Sequence, residues 1–129
     1  MGYRSEVILA IMPEVMPQFM VTMAKSPQAR AMCWKDHTEM IKDYCEIEGA
    51  MLFRWDEIKW YDSYEGVQAI LDFMDWCETE MVPTAASDGK EQIADAANFY
   101  RFVRIGEDAD DTDLQGWGFD IHIETRATY

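Results

Sequence analysis

The chain has 129 residues, 49% of them hydrophobic, and sets 25 acids against 11 Lys and Arg for a formal net charge of -14. That length suits one domain, 1–129, in which folding buries roughly two-thirds of the unfolded surface. Such a charge argues against direct contact with nucleic-acid phosphates or anionic lipid, both of which call for clustered Lys and Arg, and it favours basic partners.

Residues 3–11 alternate, with Ser5, Val7, Leu9 and Ile11 on one face and Arg4, Glu6, Ile8 and Ala10 on the other, which predicts a strand ended by Pro13. Met16, Phe19, Met20 and Met23 then follow helical spacing, with Pro17 near the helix start. Ser26 and Pro27 suit an N-cap and a first helical position. From Gln28, the apolar positions Met32, Cys33, Met40, Ile41, Tyr44 and Ile47 predict a helix capped by Gly49, with a loop from Trp34 through 35–39 as the alternative.

Residues 51–61 are strand-like and rich in aromatics. They predict either a hairpin tipped by Asp56-Glu57, pairing Trp55 with Ile58 and Phe53 with Trp60, or a single bulged strand. Asp62 with Glu65 has the form of a capping box, and Val67, Ile70, Leu71, Met74, Cys77 and Met81 make one apolar face of a helix that Pro83 closes. Residues 84–98 are small and polar, with room for a short helix around Gln92, and 99–105 read as a strand. After an acidic loop over 106–118, Phe119, Ile121, Ile123 and Thr125 alternate with Asp120, His122, Glu124 and Arg126, the pattern of a half-buried antiparallel strand. This order predicts an α+β fold: a single antiparallel sheet of four to five strands with two to three helices packed on one face, of ferredoxin-like flavour.

The surplus charge is organised into two blocks. Between Lys59 and Lys90 stand Asp62, Glu65, Asp72, Asp75, Glu78, Glu80 and Asp88 with no base among them; between Arg104 and Arg126 stand Glu107, Asp108, Asp110, Asp111, Asp113, Asp120 and Glu124, again with none. At 100° per residue, Glu65, Asp72, Asp75 and Glu80 lie opposite the apolar face of the predicted helix, and Trp76 falls among them. An indole ringed by carboxylates has the chemistry of an interface anchor for a basic protein, because Trp is enriched at hot spots and acids steer cations onto it.

The partner-binding candidates are therefore Glu65, Asp72, Asp75, Trp76, Glu80, Glu107, Asp108, Asp110, Asp111 and Asp113. A ribbon of carboxylates that imitates a DNA strand is a narrower form of the same idea. The acids at 107–113, with His122, also invite a divalent-metal reading. EF-hand spacing fails there, since counting from Asp108 puts Asp113 where Gly is needed and Phe119 where Glu is needed.

Cys33 and His37, four apart, make half a zinc site with no second pair. No GxSxG, HExxH, Walker or GxGxxG motif occurs, so no catalytic residue, metal or cofactor is predicted. Three cysteines without CxxC spacing fit a reducing, intracellular setting, and no signal peptide or long apolar run suggests a membrane.

GYRSEV at 2–7, LFRWDEIKWY at 52–61 and RFVRIGED at 101–108 together resemble a family of small acidic accessory proteins of tailed bacteriophages and prophages. The resemblance covers about a fifth of the chain and leaves out 26–49 and 84–98. It implies a setting, the cytoplasm of an infected bacterium, and a kind of target, a host defence or nucleic-acid-processing protein. It brings no functional residues with it.

Overall fold

A five-stranded antiparallel sheet in the order β2-β3-β1-β6-β7 organises the computed structural model, which describes residues 3–85, 91–108, 110–123 and 127–128. β1 (Ser5–Ile11) is the central strand, paired with β3 (Met51–Ile58) on one side and β6 (Tyr100–Gly106) on the other. Its alternation sends Val7, Leu9 and Ile11 into the main core and Ile8 and Ala10 into a second one. Helices α1 (Met16–Ala24) and α2 (Pro27–Trp34) lead from β1 to β2 (Glu39–Lys42), and α3 (Glu65–Thr79) leads out of β3. The result is the split βαβ arrangement of ferredoxin-like folds, with β7 (Thr112–Gln115) added as an outer strand.

The helices fill the main core with Phe19, Met23, Cys33, Ile70, Phe73 and Cys77 against Phe53 and Trp55 of the sheet. α2 starts as its sequence dictates, with Ser26 Oγ accepting from the Ala29 amide at 3.2 Å. The opposite face is covered as well: Ile8, Leu52, Val103 and Ile121 are buried there, with Tyr44 and Phe119 packed over them. The C-terminal segment, through Phe119 and Ile121, and the β2–β3 connection, through Tyr44, supply that cover. β8 (His122–Ile123) pairs with β9 (Ala127–Thr128); of the strand expected over 119–126, 119–121 are not strand, His122 and Ile123 are, and 124–126 lie outside the described residues. Its alternation served to bury Ile121 beneath the sheet rather than to extend it.

Other expectations are corrected. The helix expected over 28–47 ends at Trp34, because the adjacent pair Met40 and Ile41 belongs to a strand whose two faces reach the two cores. The Asp56-Glu57 hairpin does not form. β3 runs through that point as a bulged strand: β1 advances two residues from Ser5 to Val7 while β3 spends three between Ile58 and Trp55, and Glu57 takes up the excess at φ 55°. α3 begins after Tyr64 with no side-chain cap, so the capping box is absent.

Glu80 is already extended, and Met81 and Pro83 belong to β4 (Met81–Ala85) instead of the helix. β4 pairs with β5 (Glu91–Asp95) in a separate two-stranded ribbon, where an edge proline is tolerated. The short helix expected near Gln92 is therefore a strand, followed by a single 3₁₀ turn at Ala96–Phe99.

The β2–β3 connection stores strain, with Asp43, Cys45 and Glu46 at φ 52°, 57° and 61°. Left-handed backbone costs a side-chain-bearing residue about 1–2 kcal/mol, while glycine's extra unfolded-state freedom returns part of any gain. Glu46→Gly should therefore stabilise the fold by about 0.5–1 kcal/mol, read as a raised denaturation midpoint in urea.

Candidate functional site

α3 presents three distinct sides. Val67, Ile70, Phe73, Met74 and Cys77 are buried, as the 3.6-residue period requires. Glu65, Asp72 and Asp75 are exposed along the outer ridge, where Gln68 Nε2 donates to Asp72 Oδ1 at 2.8 Å. Trp76 lies on the flank towards α1, half-buried against the main core, and Glu80 is exposed just past the helix end. Between α1 and α3 runs an open groove of about 680 Å³ whose walls include Trp76, Ala69, Asp62, Glu65 and Asp72, with Lys25 on the α1 side.

The helix has no basic residue in its last turn, although its carbonyl end carries partial negative charge. Glu78 and Glu80 therefore stand where the helix dipole disfavours a carboxylate, by about 0.3–1 kcal/mol each at low salt, which the Tyr100 hydroxyl offsets at Glu78.

The second acidic block is less free than its composition implies. Arg104 on β6 sits opposite Asp113 on β7, and its Nε donates to Asp113 Oδ2 at 2.8 Å while Nη2 meets Asp111 Oδ1 at 2.5 Å. The Tyr3 hydroxyl donates to Asp111 Oδ2 at 2.7 Å and accepts the Asp108 amide at 3.0 Å. Glu107 Oε1 accepts the Arg4 amide at 2.9 Å. These bonds fasten the strand entering β1 to the β6–β7 hairpin. Glu107, Asp108, Asp110 and Asp113 remain exposed, and Asp111 is half-buried.

The Arg104 hydrogen bonds, and after them that of Tyr3, hold the Asp111 carboxyl below its ordinary value of 3.8. A carboxyl lowered in the folded state contributes stability that is present above its unfolded value and is lost as pH falls through the folded one. Asp111→Asn should thus shrink the drop in melting temperature between neutral pH and about pH 3, as read by circular dichroism melts of both proteins.

The fold brings the two blocks together. Asp62 at the entry to α3 shares a hollow of about 610 Å³ with Tyr3, Arg104, Asp111 and Asp113. Further along, the buried Tyr100 hydroxyl lies 2.5 Å from Glu78 Oε1 and 3.3 Å from Gln115 Oε1, so it joins α3 to β7. Burial, then the Glu78 hydrogen bond, drives the Tyr100 phenol far above its ordinary range, and it stays a neutral donor. Asp88 and Glu124 of the two blocks lie outside the described residues.

No family model, curated protein or solved structure matches the chain.

Among the described residues no group of three or more His, Cys, Asp and Glu is arranged to hold a metal ion, and no helix is long and apolar enough to cross a membrane. His122 starts β8, but its side chain lies outside the described portion. His37 falls beyond the end of α2, so it does not share a helix face with Cys33; its Nδ1 lies 2.9 Å from the Cys33 carbonyl oxygen instead. Burial pushes the Cys33 and Cys77 thiols up to about 12, so neither presents a thiolate nucleophile at neutral pH.

One candidate escaped the sequence reading. Trp117 is 76% exposed and Leu114 49%, and both line a hollow of about 410 Å³ beside Glu78 and Gly116. The available signal was an indole between two glycines in a stretch with no apolar period, a position with no core to enter.

Proposed function

We propose that this chain is a non-enzymatic binding protein that engages a basic protein through the acidic surface spanning α3 and the β6–β7 hairpin. The observation that carries the proposal is the seam between them: Asp62 shares a hollow with Asp111 and Asp113, and Tyr100 bridges Glu78 and Gln115. Charges that adjoin add their fields, which steers and orients a cationic partner. Glu80 at the C-terminal end of α3 supports the same reading, because it is exposed where its charge weakens the helix. The setting that fits is the cytoplasm of a bacterium carrying a phage or prophage, with a host defence or nucleic-acid-processing protein as partner.

Affinity capture from bacterial lysate at low and high salt tests this. Wild-type protein should retain basic proteins at low salt and release them at high salt, and a variant with Asp72→Asn, Asp75→Asn and Asp110→Asn should retain far less. Recovery of no basic protein, or equal recovery by the variant, defeats the proposal. The adjacency of the two blocks also favours the narrower reading as a DNA mimic. That reading requires the captured partner to bind duplex DNA, and the duplex to displace it from this protein.

A further inference from the structure

We infer that the groove between α1 and α3 receives an arginine side chain from an extended segment of the partner, laid across the Trp76 ring. The inference rests on the proposed function and adds the chemistry of its anchor. The groove combines a half-buried indole and the Ala69 methyl with three carboxylates, Asp62, Glu65 and Asp72, against one base, Lys25. Asp62, Glu65 and Lys25 enter no ion pair among the described residues, where the pairs centre on Arg54 and Arg104. Glu65 and Asp72 are exposed, and Asp72, whose Oδ1 accepts from Gln68 Nε2, can exchange that neutral hydrogen bond for an incoming cation.

The indole selects the kind of cation. A cation over an aromatic face is attracted by the ring quadrupole, Trp being the strongest such ring. Guanidinium is planar and weakly hydrated, so it stacks on an indole and still directs its N–H groups sideways to carboxylates. Ammonium, compact and strongly hydrated, loses more on leaving water. The amide side chains of Gln18 and Gln68 on the two walls supply further acceptors for the guanidinium edge.

Length selects a segment of protein over a single small cation. Glu65 and Trp76 lie eleven residues apart on one helix, about 16 Å at 1.5 Å per residue, so the guanidinium on Trp76 meets Asp72, one turn away, while Glu65 meets a further cation of a segment whose reach is about five extended residues. A second copy of this chain is disfavoured as occupant, since each copy brings a net charge of -14 to the contact.

The probe is a short fluorescein-labelled peptide of alternating arginine and glycine, titrated by anisotropy. Two controls accompany it, the same peptide with citrulline for arginine and one with lysine. Citrulline keeps the shape of arginine and removes the charge. Arginine should bind more tightly than lysine, citrulline should not bind, and the arginine peptide should shift the Trp76 indole N–H resonance.

Trp76→Ala should weaken binding about tenfold, the scale of a desolvated cation–π contact. Because Trp76 touches the core, a second variant, Glu65→Gln with Asp72→Asn, changes only exposed groups; it should weaken binding comparably while Glu48→Gln, on the β2–β3 connection, leaves it unchanged. If Trp76→Ala melts early, the double variant and the indole shift decide. Binding that survives both variants overturns the groove assignment but leaves the acidic-surface proposal to the lysate experiment. Recovery of no basic protein from lysate, with groove binding intact, would defeat the proposed function alone. Spermine binding as tightly as the peptide, with the same dependence on Trp76, would overturn the assignment to a protein segment.

Discussion

Gly116→Ala should destabilise the protein by about 3 kcal/mol or more, the upper range for a single substitution. Gly116 has φ +81°, a left-handed backbone, and a Cβ there would lie 2.1 Å from the backbone carbonyl oxygen of Tyr100. Neither problem can be relieved by a side-chain rotation, because both partners are main chain. The corner is tied on every side: the Gly118 amide donates to the Tyr100 carbonyl at 2.9 Å, the Trp117 amide to Ala97 at 2.9 Å, and Arg101 Nη1 to the Gly116 carbonyl at 2.6 Å. The substitution must break several of these at once. Urea unfolding should show a large fall in midpoint, and hydrogen exchange should show lost protection at 112–118.

Trp55→Ala should cost about 4 kcal/mol, the loss for emptying a large aromatic site in a core. Trp55 is 1% exposed, stacks on Phe53 at 5.9 Å and contacts Trp60 at 6.0 Å. Its Nε1–H donates to the Met32 carbonyl at 2.8 Å and so binds the sheet to α2. Trp55→Phe separates the two contributions, because it keeps a ring while leaving that carbonyl without its donor, a loss of about 1–3 kcal/mol. An alanine variant no less stable than the phenylalanine variant would show that the ring's volume contributes nothing.

The elements legible in the sequence were those whose burial imposes a single period. β1 and α3 qualify, the first alternating between two cores and the second repeating every 3.6 residues. β2 was hidden because Met40 and Ile41, adjacent in sequence and apolar on both faces, satisfy a helical template as well as a strand in a two-sided sheet. β7 reads Thr-Asp-Leu-Gln and is exposed throughout, so only its pairing with β6 makes it a strand. The ribbon of β4 and β5 was obscured by Pro83, which ordinarily argues against a strand.

For the candidate surface, the exposure of Glu65, Asp72 and Asp75 followed from helical phase alone. The partial neutralisation of Asp111 and Asp113 did not. Arg104 stands just before the basic-free stretch in sequence, and the hairpin register brings it in among those acids.

β7 also bears on how this protein behaves at high concentration. Among the described residues it is the outer strand of an antiparallel sheet, with no strand paired along one side and Leu114 49% exposed, the features by which sheets join edge to edge into aggregates. Asp113 on the strand and Asp110 just before it place negative charge at that edge, and two copies approaching through it repel. Asp110 and Asp113 thereby oppose the edge-to-edge pairing of two copies. Acidification or high salt weakens that repulsion, so light scattering from concentrated protein should rise under either condition.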